Sequence, residues 1–461
     1  MVQVDVPSRT RLLLVVVFAL LVRGGLAYWQ FDSFQSDPDA YRAIAETISE
    51  TGVFGLIDAN GEGSPTAFRP PLYPYLLSWI SPGGELSLLG VAIFQVFLGT
   101  VSVLLTVLIS RRLIDRGQVG FSSILAGVLV TIDPTLCKLA CQVMTETLAT
   151  TLTLAVIWWW TKHVNDAAQP TSAGGWTRFA LVLSGLLALA YLCRPTFLVW
   201  GGCLTLASVG LASNSLSTRL VRGGVVASLV AVTLLCWTYR NARQIGHPVW
   251  ATSHGGYTLL LANNPSFYEY IRSGNPGEAW DAQPFLEAYQ HRYNGDPNTE
   301  SFWMKDWSKV PANWGTEPIT EHEDDQRCYL AARATIDREP RMFVWSCVVR
   351  VARLWSPTPH LTPGRSLIKV VVVGVFYSLI YLVMFVTLWR LGRKAFQSQW
   401  WPIWGLALTL SAVHAVYWTN MRMRAPIIPV IAMIATGVFV PRTESTETNN
   451  DVADDPRNTT T

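Results

Sequence analysis

Two acidic residues, Asp37 and Asp39, lie just before an amphipathic stretch that carries Tyr41. Pro38 suits the first turn of a helix, so the sequence predicts a carboxylate beside the positive end of a helix, where it stays ionised. A carboxylate in that position could accept a proton from an incoming hydroxyl group. The same spacing also suits a simple helix cap at Asp37, and the residues alone leave both interpretations open.

Arg69 precedes two prolines in the segment PTAFRPPLYPYLL, which also contains Tyr73. Because Pro70 favours an extended backbone at the residue before it, the side chain of Arg69 is presented rather than wrapped into a helix. The planar guanidinium group matches two phosphate oxygens, so Arg69 is a candidate phosphate ligand. An interfacial arginine that extends to lipid headgroups is the alternative.

Glu146 lies near one end of an apolar stretch, where an acid is costly unless it faces a polar cavity or a partner. A functional carboxylate and a structural ion pair are both open. Several arginines lie beside other apolar stretches, and they call for an anion, either lipid headgroups or one bound lipid phosphate. These arginines are Arg194, Arg240, Arg243, Arg350, Arg353, Arg422 and Arg424.

The segment HGGYTLLLANNPSFY (254–268) contains two glycines and two asparagines that suit a binding loop. Gly255 and Gly256 permit close backbone approach, and Asn263 and Asn264 offer donors and acceptors to a sugar. An ordinary turn is the alternative. The seven histidines lack metal-ligand spacing and the cysteines lie mostly in apolar stretches, so no metal site is expected.

The composition indicates which solvent surrounds these residues. Half of the 461 residues are hydrophobic and only 15% are charged, against about 25% in a soluble domain. A net charge of +3 gives no reason to expect nucleic acid as a partner. We therefore predict an all-α polytopic membrane protein with about ten transmembrane helices. The predicted spans are 11–29, 86–109, 119–133, 137–160, 179–193, 196–212, 223–240, 367–389, 401–418 and 425–440.

Lysines and arginines in the short loops predict the orientation. With the N-terminus inside, every inner loop is positively charged, as cytoplasmic loops usually are. The residues responsible are Arg111, Arg112, Arg116, Lys162, Arg178, Arg219, Arg222, Arg390, Arg393 and Lys394. The candidate site residues then all lie at the outer face.

Four units follow from this topology. Residues 1–240 are predicted to form a membrane core, whose first outer loop at 30–85 carries amphipathic helices, including one on the membrane surface at 71–80. Residues 241–366 are too long for a simple connector and are predicted to form a small extracytoplasmic cap, with a helix at 319–338. Residues 367–441 return to the membrane, and 442–461 form a polar, disordered cytoplasmic tail.

Taken in order, several short motifs resemble the GT-C superfamily of membrane glycosyltransferases. Within it, the chain is similar to the protein O-mannosyltransferase-like and lipid A aminoarabinose transferase-like enzymes of glycosyltransferase family 39. The motifs are the acid-x-x-x-Tyr pattern from Asp37 to Tyr41, FRPPLYP at 68–74, TE at 145–146, CRPT at 193–196, WTYRN and GGYTLLLANNP within 237–265, and RMRAPIIP at 422–429.

The resemblance implies a sugar transferase in the bacterial cytoplasmic (inner) membrane with an outward-facing site. The donor would be a polyprenyl-phosphate sugar, and the acceptor a lipid, a protein or a glycan. Nothing in the sequence requires a cofactor, although oligosaccharyl members of the superfamily use a divalent metal. The implied catalytic acids are Asp37, with Asp39 as the fallback, and Glu146. The implied phosphate ligands are Arg69, Arg194, Arg422 and Arg424, and the implied substrate-binding residues are Tyr41, Tyr73, Gly255, Gly256, Asn263 and Asn264.

Two other functions are compatible with many spans and outer arginines. A flippase or transporter of lipid-linked sugars should show inverted halves and ionisable residues at the bilayer midplane. The polar residues here gather at the outer surface instead, which favours the enzyme. A non-catalytic membrane scaffold that binds through its outer loop is the second alternative, and it should tolerate replacement of Asp37 by Asn.

Overall fold

The computed structural model describes residues 8–440 apart from 59, 116, 165–172, 212–214, 275–278, 284, 287–319 and 363. The predicted tail at 442–461 lies outside the described residues, and so does part of the predicted cap. The described chain is almost entirely helical, with one short antiparallel hairpin in the first loop.

The helices and strands follow in chain order. The first part forms α1 (Ser8–Trp29), α2 (Tyr41–Thr51), β1 (Gly55–Ile57), β2 (Gly63–Pro65), α3 (Leu72–Ser78), α4 (Leu88–Leu113), α5 (Phe121–Ile132), α6 (Pro134–Ala140), α7 (Glu146–His163), α8 (Ala173–Cys193), α9 (Phe197–Gly210) and α10 (Leu216–Gln244). The second part forms α11 (Gly255–Ala262), α12 (Pro265–Ser273), α13 (Glu321–Arg338), α14 (Pro340–Trp355), α15 (Leu367–Leu391), α16 (Trp401–Val416) and α17 (Ile428–Thr436). A 3₁₀ helix at Met421–Ile427 leads into α17.

A helical membrane protein was predicted, and the described chain has that architecture. By length and composition, six helical segments in the described residues can cross a membrane, and the pair α5 and α6, bent by 52°, makes a seventh at most. The six are Ser8–Trp29, Leu88–Leu113, Gly174–Cys193, Leu216–Gln244, Leu367–Phe396 and Met421–Phe439. The predicted count of ten is not confirmed, since α9 and α16 have only 14 and 16 residues.

The continuous span predicted at 137–160 is wrong, because the chain breaks between α6 and α7. The amide of Gln95 on α4 donates to the carbonyls of Gln142 and Met144 at 3.0 and 3.3 Å. Backbone groups that lose their helical hydrogen bonds inside a membrane domain need such a partner. The apolar sequence at 137–160 does not indicate that a side chain of another helix supplies it. Glu146 consequently begins a helix instead of lying within one.

The bend between α5 and α6 is held by charged side chains buried in the bundle. Asp133 caps α6 by accepting the amide of Leu136 at 2.8 Å, and the hydroxyl of Tyr377 donates to its carboxylate at 2.9 Å. Arg23 on α1 donates to the carbonyls of Val130 and Leu136 at 2.7 and 3.0 Å. These contacts fix α6 against α1 and α15, and with it one wall of the cavity described below.

Shorter helices occupy the predicted loop segments. α3 lies within the predicted 71–80, and α13 coincides with the predicted 319–338. α13 begins with a capping box, in which the Thr320 and Glu323 side chains accept each other's backbone amides. α2 buries Tyr41, Ile44 and Ala45 on one face, which seats the loop after α1 on the membrane core.

Candidate active site

The turn before α2 separates the roles of the two predicted acids. Ala40 has φ 57° and ψ 22° and is the only non-glycine residue with positive φ in the described part of the chain. A side chain in this region strains the backbone. The turn directs Asp37 back to α2, where Oδ2 accepts the amide of Ala43 at 3.0 Å. The second oxygen of Asp37, Oδ1, is buried and has no hydrogen-bond partner among the described residues.

Asp39 is directed away from α2 and meets Arg69. Nη2 of Arg69 lies 3.1 Å from Oδ1 of Asp39, and Nε donates to the Asp39 carbonyl at 2.7 Å. The guanidinium also lies over the ring of Phe68, 4.3 Å from its centre. Arg69, at a bend directly before Pro70, is therefore presented to the acid beside α2 instead of being wrapped into a helix.

Glu146 is the most buried acid of the site, with 1% of its side chain exposed. Its Oε1 lies 2.7 Å from Nη2 of Arg194 and 3.0 Å from Nε of Arg422. Arg194 is held further by Thr145, whose hydroxyl accepts from Nε at 2.9 Å. Glu146 therefore forms an ion pair and also lies in the candidate site, so the two alternatives considered for it are not exclusive.

Arg422 joins the two acids into one group. Its Nη2 lies 3.7 Å from Oδ2 of Asp39, while its Nε pairs with Glu146. We call Asp39, Arg69, Glu146, Arg194 and Arg422 the charged cluster. Three guanidinium groups against two carboxylates leave a net charge of +1, so the charged cluster is suited to an anionic ligand.

Tyrosines form the floor of the charged cluster. The rings of Tyr41 and Tyr73 meet edge to face at 5.3 Å, and the guanidinium carbon of Arg69 lies 5.6 Å from the centre of the Tyr41 ring. The hydroxyl of Tyr73 accepts from Gln95 at 2.9 Å. Burial raises the pKa of Tyr41 to about 12 and outweighs the opposing effect of Arg69. Tyr41 thus stays a neutral hydroxyl group at physiological pH.

A neutral histidine lies on the other side of Arg69. The ring of His254 packs against Phe68 at 4.7 Å and stacks on Tyr257 at 4.8 Å. Burial lowers the pKa of His254 to about 3, with a smaller contribution from the charge of Arg69. The sequence gave His254 no role, and its place beside Arg69 became visible only in the fold.

A cavity of about 1240 Å³ adjoins the charged cluster through Arg422, Met144 and Pro38. Five basic side chains line it against a single acid, Asp32. The basic residues are Lys138, Arg353, Arg365, Lys369 and Arg422. No described carboxylate pairs with Lys138 or Lys369, so the positive charge of the cavity is largely unopposed.

Arg424, predicted as a phosphate ligand, lies outside the charged cluster. It is fully buried, stacks on Tyr377 at 4.4 Å and donates to the carbonyls of Leu354 and Ser356. Within the 3₁₀ helix, Arg422 and Arg424 therefore face different surroundings, one the site and the other the buried polar group around Asp133.

The predicted binding loop is occupied by structural contacts. Asn263 donates to the carbonyls of Leu259 and Val416, and Asn264 caps α12 by accepting the amide of Phe267 at 2.8 Å. A Cβ atom on Gly255 would lie 2.2 Å from the Tyr329 hydroxyl, and one on Gly256 would lie 2.1 Å from the Asp325 carbonyl oxygen. The glycines let α11 approach α13 closely, and the structure does not bring these four residues into the charged cluster.

Within the described residues, no three side chains of His, Cys, Asp or Glu lie together as a metal would require. Two residues of the site carried a weak sequence signal that was missed. Gln95 is an amide in an otherwise apolar helix, and Thr145 directly precedes Glu146. Polar residues in apolar stretches usually face a partner, which is the signal that would have found them.

No protein-family model and no curated protein sequence matches the chain. Solved structures do match in fold. The Archaeoglobus fulgidus oligosaccharyltransferase with zinc and sulfate aligns at a TM-score of 0.47 and 13% identity, over 92% of this chain and 48% of that one. The same archaeal enzyme with an inhibitory peptide and dolichol-phosphate aligns at 0.47 and 14%, over 93% and 50%.

ArnT from Cupriavidus metallidurans bound to undecaprenyl phosphate aligns at a TM-score of 0.40 and 14% identity, over 92% of this chain and 77% of that one. The chain is similar in the path of its backbone to these structures of an oligosaccharyltransferase and of ArnT. It spans about half the length of the oligosaccharyltransferase chains. This similarity concerns the path of the chain. The evidence for an activity is the charged cluster.

Proposed function

We propose that this chain is a membrane glycosyltransferase that moves a sugar from a polyprenyl-phosphate donor to a hydroxyl group of an acceptor on the extracytoplasmic face. One observation carries the proposal. Two carboxylates and three guanidinium groups from distant parts of the chain meet beside a basic cavity. A carboxylate next to a phosphate site is the arrangement that sugar transfer from a lipid phosphate needs.

We assign the carboxylate that faces the acceptor to Asp39 instead of Asp37. Asp37 is engaged as a helix cap, whereas Asp39 belongs to the charged cluster and is 24% exposed. Lying beside two arginines and partly exposed, it can orient the acceptor hydroxyl group and take its proton as the new bond forms. Glu146 is too buried for that task and serves to hold Arg194 and Arg422 in place.

The donor phosphate is assigned to the basic cavity. Arg69 and Arg194 are already paired with acids, whereas Lys138 and Lys369 line the cavity with no such partner among the described residues. Arg422 borders both the charged cluster and the cavity, and it can stabilise the negative charge that develops on the departing phosphate. The polyprenyl phosphates in the names of two structural neighbours are consistent with this assignment.

The carboxylate assignment is tested with Asp39→Asn and Asp37→Asn in the purified full chain. The measurement is release of polyprenyl phosphate from a panel of polyprenyl-phosphate sugars, with detergent-solubilised membrane lipids as acceptors. Asp39→Asn should lose about 10²–10⁴-fold in rate, because no carboxylate then takes the proton of the attacking hydroxyl group. Asp37→Asn should retain most of the activity, since Asn caps a helix about as well as Asp.

Equal thermal unfolding of both variants is the control for folding. A loss confined to Asp37→Asn would move the catalytic role back to Asp37, as the sequence motif implied. Movement of the intact donor across liposomes without release of polyprenyl phosphate would support a flippase and overturn the enzyme.

The phosphate assignment predicts that replacing Lys138 and Lys369 together by Gln weakens polyprenyl-phosphate binding about tenfold or more, because two charge-assisted contacts are lost. The matched control is Lys394→Gln, an exposed lysine beyond the other end of α15. Binding can be measured by the rise in melting temperature with added lipid phosphate. Equal binding by the double variant and the control would place the phosphate elsewhere.

A further inference from the structure

Glu321, the first residue of α13, binds the segment that carries Arg69. Its carboxylate accepts the backbone amide of Ala67 at 3.0 Å and also the hydroxyl groups of Thr66 and Ser253. Three donors converge on one acid, and Thr66, Ala67 and Ser253 are all buried. A carboxylate so fully bonded holds its partners in one arrangement.

The polar backbone groups around this contact are bonded as well. The amide of Phe68 donates to the Thr66 hydroxyl oxygen at 2.9 Å, and that hydroxyl donates on to Glu321. Ser253 donates its amide to the Ala67 carbonyl at 3.0 Å, and Arg240 donates to the Thr66 carbonyl at 2.7 Å. Contacts on both sides therefore hold the backbone at 66–68 in place. Glu321 accepts two of the donors of this segment, the Thr66 hydroxyl group and the Ala67 amide.

Arg69 directly follows this tied segment. Pro70 restricts its backbone on the other side, so the guanidinium has little freedom to find Asp39 by another route. It packs on Phe68, whose own amide belongs to the chain of hydrogen bonds that ends at Glu321. A displacement of the Thr66–Phe68 backbone would move Arg69 relative to Asp39.

We infer that Glu321 is a positioning residue for Arg69, and that α13 sets the geometry of the charged cluster through it. The inference rests on the proposed sugar transfer for its effect on rate, and on geometry alone for the contact itself. A misplacement of about 1 Å in such a site can lower the rate by about 100-fold. Glu321→Ala should therefore reduce kcat with little change in the donor KM, since the cavity lysines are untouched.

The contact is tested first without any substrate, by hydrogen exchange of peptides that cover residues 64–69. Glu321→Ala should expose the amides of Ala67 and Phe68 to faster exchange. Glu321→Gln should keep much of the protection, because its carbonyl oxygen still accepts the Ala67 amide. The control is Asp337→Asn on the same helix, where the acid is exposed and pairs only with Arg333 among the described residues.

The link to Arg69 is tested by a double-mutant cycle. If Glu321 acts through Arg69, Glu321→Ala should lower transfer in the wild-type background and have almost no further effect in Arg69→Ala. A purely structural role would instead give independent losses in both backgrounds. Glu321→Gln should restore most of the rate, and Asp337→Asn should match the wild type.

The outcomes separate the two proposals. Unchanged exchange at residues 64–69 in Glu321→Ala overturns the positioning contact, whatever the activity. Faster exchange with unchanged kcat overturns the role in transfer. A wild-type chain without transfer activity overturns the proposed function, and the exchange result then decides the contact by itself.

Discussion

Glu146 has two arginine partners and almost no access to solvent, which makes it the residue on which the charged cluster most depends. Removing the charge of one partner from a buried ion pair leaves the other uncompensated, at a cost of about 3–5 kcal/mol. In this site Arg194 would lose its carboxylate partner, and Arg422 would keep only Asp39, 3.7 Å away. The same loss would leave them free to bind an anion.

Glu146→Gln is therefore expected to have opposite effects on the empty and the occupied protein. The melting temperature without ligand should fall, and added polyprenyl phosphate should raise it by more than it does in the wild type. Thermal unfolding with and without the lipid measures both effects. The Asp39→Asn variant offers a comparison at a more exposed acid, where the fall should be smaller. A uniform fall with no gain from the lipid would contradict the proposed phosphate site.

At the scale of helices, close approach between α11 and α13 depends on Asp325 as well as on the two glycines. The carboxylate of Asp325 accepts the amide of Gly256 at 2.6 Å and is buried. Burial raises the pKa of Asp325 from 3.8 to about 6, against the opposing effect of that hydrogen bond. Because the folded value lies above the unfolded one, the folded chain binds more protons between them, and stability falls as the pH rises through 6.

Asp325→Asn should remove this dependence while keeping an oxygen that accepts from Gly256. The variant should melt at a higher temperature than the wild type at pH 7.5, and the difference should shrink as the pH falls to 5 and below. Comparing the two proteins at each pH cancels the contribution of His322, whose ring stacks on that of His247 at 3.9 Å. A difference that stays constant with pH would show that Asp325 does not titrate in this range.

For the whole molecule, the direction of the helices places the charged cluster at one end and the excess of loop cations at the other. Glu146 begins α7 and Arg194 follows α8, so the opposite ends of both helices carry Lys162 and Arg178. Likewise α4 begins beside the site and ends at Arg111 and Arg112. The positive-inside rule predicts that the charged cluster lies at the extracytoplasmic end.

Cysteine labelling in intact cells tests this orientation. After Cys236→Ala removes an exposed thiol, Ser64→Cys in the first loop should react with a membrane-impermeant maleimide. Gln118→Cys, exposed after α4, should react only once the membrane is permeabilised. Reversed labelling would put the charged cluster in the cytoplasm and remove the basis for an extracytoplasmic transferase.

The amino-acid sequence by itself determined the solvent and the local elements. Hydropathy and low charge predicted a helical membrane protein, and short-range signals predicted α2, α3 and α13 because helix periodicity, caps and prolines act over a few residues. The presentation of Arg69 outside a helix was likewise local, since Pro70 disfavours a helical backbone at the residue before it. These features depend on neighbours along the chain, so they could be predicted without the fold.

Only the tertiary structure decided which polar residues meet. The proposed assignment of the carboxylate to Asp39 instead of Asp37 rests on the Ala40 turn and on Arg422, which comes from the far end of the chain. Arg422 and Arg424 are alike in sequence and separate only by what each one contacts. The break before Glu146 exists because Gln95, on another helix, takes the freed carbonyls. Each outcome depends on contacts between distant segments, which the local pattern of residues cannot predict.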